Sequence, residues 1–391
     1  MEDLILAARQ LAPELVQLRR KLHSFAEVGT QLPRTCQLVR QTLEELGYEP
    51  RELCPGGLVA QLQGKPGGKT ILLRADMDAL RLPEKSGLSF AATNGCMHAC
   101  GHDMHTAMLL GAARLLMERK DAIRGNIRLV FPPDEEGFTG AKSTVKAGVL
   151  EQVDAAMALH VNSGTPSGLV LAGRGVTMAG CRFFRIIVRG TGCHGAMPDT
   201  GVDPINIAAH IYLALQEIIA REIPPQTPAI LTLGKFQAGQ APNIIPQEAV
   251  LEGSIRTMDM QLGEFIYDRL CQMATQTAAL FRGEAQVEEL CSVPPLNNNE
   301  ALVEQMADYI RRIHPKEKLV LFRQGGMGSE DFSVISQKVP CCYLLLGAGT
   351  AREDPAFGKP MHNEAVVFNE EVLPLGAAIL AQCALRWLEE A

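Results

Sequence analysis

The sequence predicts a two-domain α/β protein, in which a doubly wound α/β domain is interrupted by a smaller inserted domain. The chain has 391 residues, whereas single hydrophobic cores rarely grow beyond about 250 to 300 residues. Strand-like and helix-like segments alternate in its first part, which is typical of a largely parallel sheet. From about Cys181 the order becomes β-α-β-β-α-β, the split arrangement of ferredoxin-like domains.

The predicted elements follow in order along the chain. The start, "MEDLILAARQLAPELVQLRRKLH", predicts an amphipathic helix, and a second helix is expected near 33–47. The first domain then continues with the strand "GLVAQL", the strand "TILLRAD", a helix at 106–120, the strand "NIRLVF", a helix at 141–149 and the strand "AAMALHV". Strands separated by helices of this length are typical of crossover units.

The inserted domain and the end of the chain are predicted in the same way. The insert comprises the strand "RFFRIIVRG", a helix at 204–221, the strands "PAILTLGKF" and "AVLEGSIRT", a helix at 259–282 and the strand "AQVEELC". After the turn-rich "PPLNNN" we expect a helix at 300–313, a strand at 341–346 and a helix at 370–388. The expected domains are therefore residues 1–180 with 293–391, and the insert 181–292.

Composition limits the possible partners. Apolar residues make up 47% of the chain, charged residues 21%, and the net charge is -7. This balance argues against nucleic acid, because phosphate binding needs clustered Lys and Arg. No signal peptide or membrane-length apolar stretch is evident, and eleven irregularly spaced cysteines indicate reduced thiols. We expect a soluble, cytoplasmic protein that contacts neither nucleic acid nor membrane.

Residues with metal-binding side chains follow the predicted strands. Cys100 and His102, in "HACGHDMH", precede a helix, and thiolate and imidazole both bind Zn²⁺ well. A closed structural zinc site is disfavoured because no second Cys or His pair follows. Six further residues with suitable side chains lie at or after the ends of predicted strands or in a late loop: Asp76, Asp78, Glu135, Glu136, His160 and His362. Each of them alone could be a surface acid or a structural histidine. All six, however, are expected at the ligand-binding edge of one sheet.

A set of motifs in fixed order resembles a known family. "RADMDAL", "MHACGHDMHTAMLLGAA", "DEEG", "ALHV", "GCHGAMPDTGVDPI", "PNIIP", "IRTMD", "SEDF" and "MHNEAVVFNEE" are similar to the M20 metallopeptidases, and within them to the amidohydrolase subfamily of hippurate hydrolases and indole-acetyl-amino-acid hydrolases. The resemblance covers nearly the whole chain. It implies a zinc-peptidase-like catalytic domain and an inserted lid domain that also forms a homodimer.

The resemblance also implies roles for particular residues. Two divalent ions, Mn²⁺ or Zn²⁺ with Co²⁺ or Ni²⁺ also suitable, would be held by Cys100, His102, Glu136, His160 and His362. Glu135 would be the general base, and Cys100 would lie close to both ions. Asp78 and Asp103 would either orient imidazoles or cap turns.

The resemblance further implies that the lid contributes three groups. His194 would reach across the dimer and stabilise the oxyanion, while Asn243 and Arg256 would bind the substrate's carboxylate. The run "GGMGSEDF" (325–332) would add backbone N–H donors to the same pocket.

Two departures from the family pattern stand out. Asp134 precedes the paired glutamates where relatives have alanine, which would raise the pKa of Glu135 or disfavour acidic substrates. The early "HSFAEVG" keeps His23 and Glu27 of a family motif, for which the sequence suggests only a structural role.

The predicted function is hydrolysis of N-acyl amino acids, with N-acetyl, N-benzoyl or similar groups, to a carboxylic acid and a free amino acid. Two enzymatic alternatives are a dipeptidase and an N-acetyl-diaminopimelate deacetylase. The alternative from another class is a catalytically idle dimeric homologue that binds metal or ligand.

Overall fold

A computed structural model describes residues 2–390, with side chains from residue 4 onward. It divides into two compact units. The first comprises the chain up to Thr177, Asn297–Gly325 and the chain from Asp331 onward, and the second comprises Met178–Leu296 with Gly326–Glu330.

The part of the chain before the second unit contributes most of the first unit's elements. Its helices are Glu2–Gln10 (α1), Ala12–Ser24 (α2), Pro33–Glu45 (α3), His102–Met117 (α4) and Gly140–Lys146 (α5). Its strands are Arg51–Cys54 (β1), Gly57–Gln63 (β2), Lys65–Arg74 (β3), Arg124–Phe131 (β4), Ala155–Asn162 (β5), Val170–Gly173 (β6) and Gly175–Met178 (β7).

The remaining elements complete both units. The second unit contains Gly180–Arg189 (β8), Cys193–His194 (β9), Pro204–Glu217 (α6), Ala229–Ala238 (β10), Ile244–Ile245 (β11), Glu248–Thr257 (β12), Met260–Leu280 (α7) and Glu284–Val293 (β13). After it come Leu296–Asn298 (β14), Glu300–Arg311 (α8), Leu319–Phe322 (β15), Ser333–Ser336 (α9), Cys341–Gly347 (β16) and Leu373–Glu390 (α10).

The first unit is built on a mixed sheet with a parallel centre. Its strand order within residues 2–390 is β1-β2-β4-β3-β5-β16-β6-β15. The neighbours β4, β3, β5 and β16 run parallel, while β1, β2 and β6 pair antiparallel with neighbouring strands. Parallel strands joined by helices are buried on both faces, which explains the continuous burial of β5 and β16. The predicted α/β class is confirmed.

Helices α4 and α10 pack against each other and against this sheet. The segment Glu370–Glu390 is long and apolar enough to cross a membrane by length and composition, but 78% of its most apolar window is buried inside the protein. Its small residues, such as Gly376 and Ala377, allow close approach to α4. The apolarity of α10 is therefore explained by its place in the core.

Two helix boundaries differ from the predictions. The single N-terminal helix is interrupted at Leu11, because Pro13 lies at the start of α2 and cannot continue a preceding helix. Helix α4 begins at His102 rather than near Thr106, after Gly101 in the left-handed conformation. His102 therefore lies on the first turn of a helix and not in the preceding loop.

The second unit is an antiparallel sheet with two helices. Its strand order is β10-β12-β8-β13, the ferredoxin-like order that the β-α-β-β-α-β pattern predicts. Asp203 and Asp259 cap α6 and α7 by accepting backbone N–H bonds. The unit has its own apolar core, with Phe184, Leu251 and Leu270 fully buried.

Candidate metal centre

The strand order brings the predicted ligands to one edge of the sheet. Strands β4, β3 and β5 are parallel neighbours, so their carboxyl ends meet at the same edge. Asp76 and Asp78 follow β3, the paired glutamates follow β4, and His160 lies near the end of β5. Helix α4 begins at the same place with His102.

The ligand atoms form two groups that share a cysteine. Those of Cys100, His102 and His160 lie within 4.8 Å of one another, and so do those of Cys100, Glu136 and His362. Five side chains from four separate segments of the chain are thus brought together. The arrangement could hold metal ions, with the thiol common to both groups.

The hydrogen bonds made by Nδ1 of His102 and His160 leave Nε2 of each ring available to bind a metal. Nδ1 of His102 lies 2.9 Å from the Asp78 carbonyl oxygen, and Nδ1 of His160 lies 2.6 Å from that of Val161. Because a carbonyl only accepts, each Nδ1 carries the hydrogen, and in the neutral ring that binds metal Nε2 presents a lone pair. Within residues 4–390, Nε2 of His102 is buried and has no hydrogen-bond partner. A divalent cation fits these donors.

His105 resembles a ligand in sequence but is not one. Its Nε2 accepts the Val161 N–H at 2.8 Å, and its Nδ1 lies 2.6 Å from Asp76 Oδ1. Both ring nitrogens are therefore used, and the side chain ties α4 to β3 and β5. The structure gives this histidine a specific anchoring role that the sequence did not indicate.

The short loop before α4 is sterically constrained. Cys100 is buried, with Sγ 3.4 Å from His160 Nε2. Burial raises the pKa of this thiol to about 12, a cost that a bound cation offsets by stabilising the thiolate. Gly101 has φ +86°, and a Cβ there would lie 2.4 Å from Val161 Cγ2. Glycine is therefore required between the two ligands.

Asp78 holds the paired glutamates by their backbone. Its Oδ1 accepts the Glu135 N–H at 3.0 Å and its Oδ2 accepts the Glu136 N–H at 3.2 Å. Its Oδ1 also lies 3.4 Å from His102 Nδ1. One buried carboxylate thereby orients the loop after β4 and a ligand histidine together, rather than capping a surface turn.

The carboxylate of Glu135 is held beside the ligand groups. Its Oε2 lies 3.8 Å from His102 Nε2, and its Oε1 accepts the Asp331 N–H at 3.3 Å. The Asp331 carboxylate is in turn bound by Arg74 Nη2 at 2.6 Å and by the Ala141 N–H at 2.6 Å. The backbone of the "SEDF" run therefore donates a hydrogen bond to Glu135 at Asp331. The sequence analysis did not predict this contact.

Arg74, like Asp331, has a role beside the site that the sequence analysis did not predict. It is buried, and its two terminal nitrogens bind Asp76 and Asp331, each at 2.6 Å. The one available signal was an arginine at the end of the apolar strand "TILLRAD", since a buried charge requires a partner.

His362 adopts a constrained backbone conformation. Its φ is +65°, its N–H donates to the Ala99 carbonyl at 3.0 Å, and its Nε2 lies 3.3 Å from Glu136 Oε1. The Glu136 hydrogen bond raises the pKa of His362. Left-handed backbone at a residue other than glycine persists where surrounding contacts hold it, and here it directs the imidazole toward Glu136.

Asp134 serves its own loop. It has φ +48°, its carboxylate accepts the Thr139 hydroxyl, and its carbonyl accepts the N–H groups of Thr139 and Gly140. Burial raises the pKa of Asp134. Aspartate tolerates the left-handed region better than alanine does, which gives a local reason for its presence.

The second unit carries the predicted catalytic residue His194 and the two predicted substrate-binding residues, Asn243 and Arg256. His194 is exposed on β9, and its Nδ1 accepts the Ala196 N–H at 3.0 Å, so the neutral ring carries its hydrogen on Nε2. The Asn243 carbonyl accepts the neighbouring Gly195 N–H. Arg256 Nη1 donates to Ser329 Oγ at 2.8 Å and to the Met327 carbonyl at 3.3 Å.

Comparisons with known proteins agree with this architecture. The chain is 37% identical to thermostable carboxypeptidase 1 of Saccharolobus solfataricus, over 97% of this chain and 96% of that protein. It is 36% identical to IAA-amino acid hydrolase ILR1-like 4 of Arabidopsis thaliana, over 96% and 86%. The crystal structure of the Bacillus subtilis YXEP protein, described as a dinuclear metal binding peptidase from the M20 family, superposes with TM-score 0.81 at 29% identity, covering 98% of this chain and 99% of that one.

The fold and the clustered ligand side chains define a metal-dependent hydrolase with an α/β catalytic domain. The model of peptidase family M20/M25/M40 matches residues 72–386, and the chain belongs to this family.

Proposed function

We propose that the protein is an amidohydrolase that cleaves N-acyl amino acids to a carboxylic acid and a free amino acid with two divalent metal ions. The observation that carries the proposal is the pair of ligand groups sharing Cys100, with the Glu135 carboxylate held beside them. The names of the two relatives, a carboxypeptidase and an IAA-amino acid hydrolase, are consistent with cleavage of an amide next to an amino acid.

The mixed sulfur, nitrogen and oxygen ligands suit Mn²⁺, Zn²⁺, Co²⁺ or Ni²⁺. One ion would be held by Cys100, His102 and His160, and the other by Cys100, Glu136 and His362. When bound, two such ions polarise the amide carbonyl and acidify the attacking water.

Glu135 moves the proton. Its carboxylate accepts a hydrogen from the attacking water and later donates one to the leaving amine. The Asp331 N–H holds the Glu135 carboxylate, and the Asp78 carboxylate holds the Glu135 backbone N–H. Glu135 is thereby kept in one orientation, so that little reorganisation is needed during the reaction.

The second unit binds the substrate. His194 presents Nε2–H, a donor suited to the oxyanion that develops on the carbonyl. Arg256 has only Nη1 committed to hydrogen bonds among the residues that the structure describes, so its remaining N–H groups would bind the α-carboxylate together with Asn243.

A substrate panel tests the function. The protein, loaded with Mn²⁺ or with Zn²⁺ under reducing conditions, is expected to hydrolyse N-acetyl, N-benzoyl or indole-acetyl amino acids. Carboxamide counterparts of the same substrates should react more slowly by a factor on the order of 10 to 100, because a charge-assisted hydrogen bond contributes about 1.5–3 kcal/mol. Equal rates for acid and amide would contradict the role given to Arg256.

The same panel separates the alternatives. Preference for unmodified dipeptides or longer peptides would indicate a dipeptidase or carboxypeptidase. Preference for N-acetyl-diaminopimelate would indicate that deacetylase. Stoichiometric metal without hydrolysis of any substrate would indicate an idle homologue and overturn the proposal.

We further propose that the second unit forms a homodimer. Strand β10 is at the edge of its sheet, where unpaired backbone groups can pair with another chain. Helix α6 contacts β10, and both elements carry exposed apolar side chains: Ile205, Tyr212, Leu213, Ile230 and Phe236.

Analytical ultracentrifugation tests the dimer. The molar mass measured for the wild type should be about twice the chain mass of 42.4 kDa. The Leu213→Glu variant should have a mass closer to that of the monomer, because burying a carboxylate in the interface is unfavourable. Leu280→Glu, at an exposed leucine on α7, is the matched control and should remain dimeric. A monomeric wild type, or equal behaviour of the two variants, would contradict this interface.

A further inference from the structure

A buried cluster of charges surrounds His23, behind the metal-binding loop. His23 Nδ1 lies 2.7 Å from Asp103 Oδ2, and its Nε2 lies 3.0 Å from Glu84 Oε1. Arg19 Nε also binds Asp103 Oδ2, at 2.7 Å. All four side chains are at most 1% exposed.

The geometry indicates that His23 is an imidazolium. Carboxylates only accept hydrogen bonds, so a ring placed between two of them donates from both nitrogens. Burial and the charge of Arg19, whose Nη2 lies 3.3 Å from His23 Nδ1, lower the pKa of His23, but the charge of Asp103 and the hydrogen bonds to Asp103 and Glu84 raise it overall. The cluster is then balanced, with two cations against two anions.

Both anions are connected to ligand-bearing segments. Asp103 is adjacent to His102 on the first turn of α4. Glu84 precedes Lys85, whose N–H donates to the Glu364 carbonyl at 2.6 Å and whose Nζ lies 2.9 Å from the Glu364 carboxylate. Glu364 is two residues beyond His362, and the His362 N–H is bonded to Ala99.

We propose that His23 is a positioning residue of the metal centre, which fixes the segments carrying His102 and His362 by bridging Asp103 and Glu84. This inference rests on the proposed two-metal function. His23 touches no ligand atom and acts through the two carboxylates. The motif "HSFAEVG", for which sequence reasoning found only a structural role, thereby acquires a part in metal binding.

Metal affinity tests the inference. His23→Gln and Glu84→Gln keep approximate side-chain volume but remove the charge balance, and loss of such supporting contacts typically costs about 10- to 100-fold in metal affinity. Dissociation constants for Mn²⁺ and Zn²⁺ are measured on the metal-free protein by competition with a chromophoric chelator. His314→Gln is the matched control, because the His314 side chain is half-buried in the same unit and its Nε2 lies 2.8 Å from the Gly168 carbonyl oxygen, outside the cluster around His23. The metal affinity of this variant should equal that of the wild type.

Thermal unfolding of the metal-free proteins separates positioning from simple stabilisation. A merely structural role would lower the melting temperature of His23→Gln without changing the dissociation constant of the folded protein, and that result would overturn the proposal. If His23→Gln does not fold, Glu84→Gln decides in the same way. A wild type that binds no metal would instead refute the proposed function.

The pH dependence of stability gives a second readout. The folded-state pKa of His23 is raised, so its stabilising contribution is complete below the unfolded value of about 6.5 and is lost as pH rises through the folded value. The groups facing it are Arg19, Asp103, Glu84 and His98, and burial lowers the pKa of His98 to about 4, which keeps it neutral in this range. The difference in melting temperature between wild type and His23→Gln should therefore be larger at pH 6 than at pH 9. A difference independent of pH would contradict the imidazolium.

Discussion

The Glu135→Gln variant is expected to lose about 100- to 10,000-fold in kcat while it keeps its metal. Glutamine has nearly the same shape as glutamate and retains an oxygen that can accept the Asp331 N–H, so the loop after β4 should keep its structure. Its amide cannot take a proton from water at neutral pH. The measurements are kcat on the best N-acyl amino acid of the panel and metal content by elemental analysis.

Glu136→Gln is the matched control for this prediction. The neighbouring glutamate contributes its oxygen to the group with Cys100 and His362, so its substitution should lower metal content as well as activity. The two adjacent residues are thereby distinguished as base and ligand. Unchanged hydrolysis by Glu135→Gln, or equal metal loss in both variants, would remove Glu135 from the role of base.

The Cys100→Ser variant is expected to bind metal more weakly by a factor on the order of 100 or more, since even supporting residues contribute about 10- to 100-fold. The thiol is common to both ligand groups, so one substitution weakens two sites. The pKa of a serine hydroxyl is far higher than that of a thiol, so serine stays protonated and is a poorer ligand for Zn²⁺. The dissociation constants are measured as for His23→Gln.

Cys96→Ser provides the control for this substitution. Cys96 lies four residues earlier and belongs to neither ligand group, so its variant should bind metal as the wild type does. Full occupancy of both sites in Cys100→Ser would exclude the cysteine from the ligand set and leave histidines and carboxylates to hold the ions.

The sequence indicated the residues of the centre better than their connections. Chemically suitable residues follow several strands, and the ends of parallel strands meet, so Glu136 and His160 could be expected at one edge without coordinates. The contact of Arg74 with Asp331 joins residues far apart in the chain. No local pattern predicts such a pair, because it depends on which loops the folded sheet brings together.

The sequence by itself determined the α/β class, the inserted β-α-β-β-α-β order and the kinds of side chain at the strand ends, because periodicity and turn residues are local properties. Only the tertiary structure supplied the physical reason why His102 is suited to bind metal and His105 is not. His102 and His105 are alike in sequence, but one donates Nδ1–H to a carbonyl and keeps a free Nε2, whereas the other uses both nitrogens on Asp76 and Val161. The difference lies in hydrogen-bond partners supplied by β3 and β5, which are distant in the chain and adjacent only after folding.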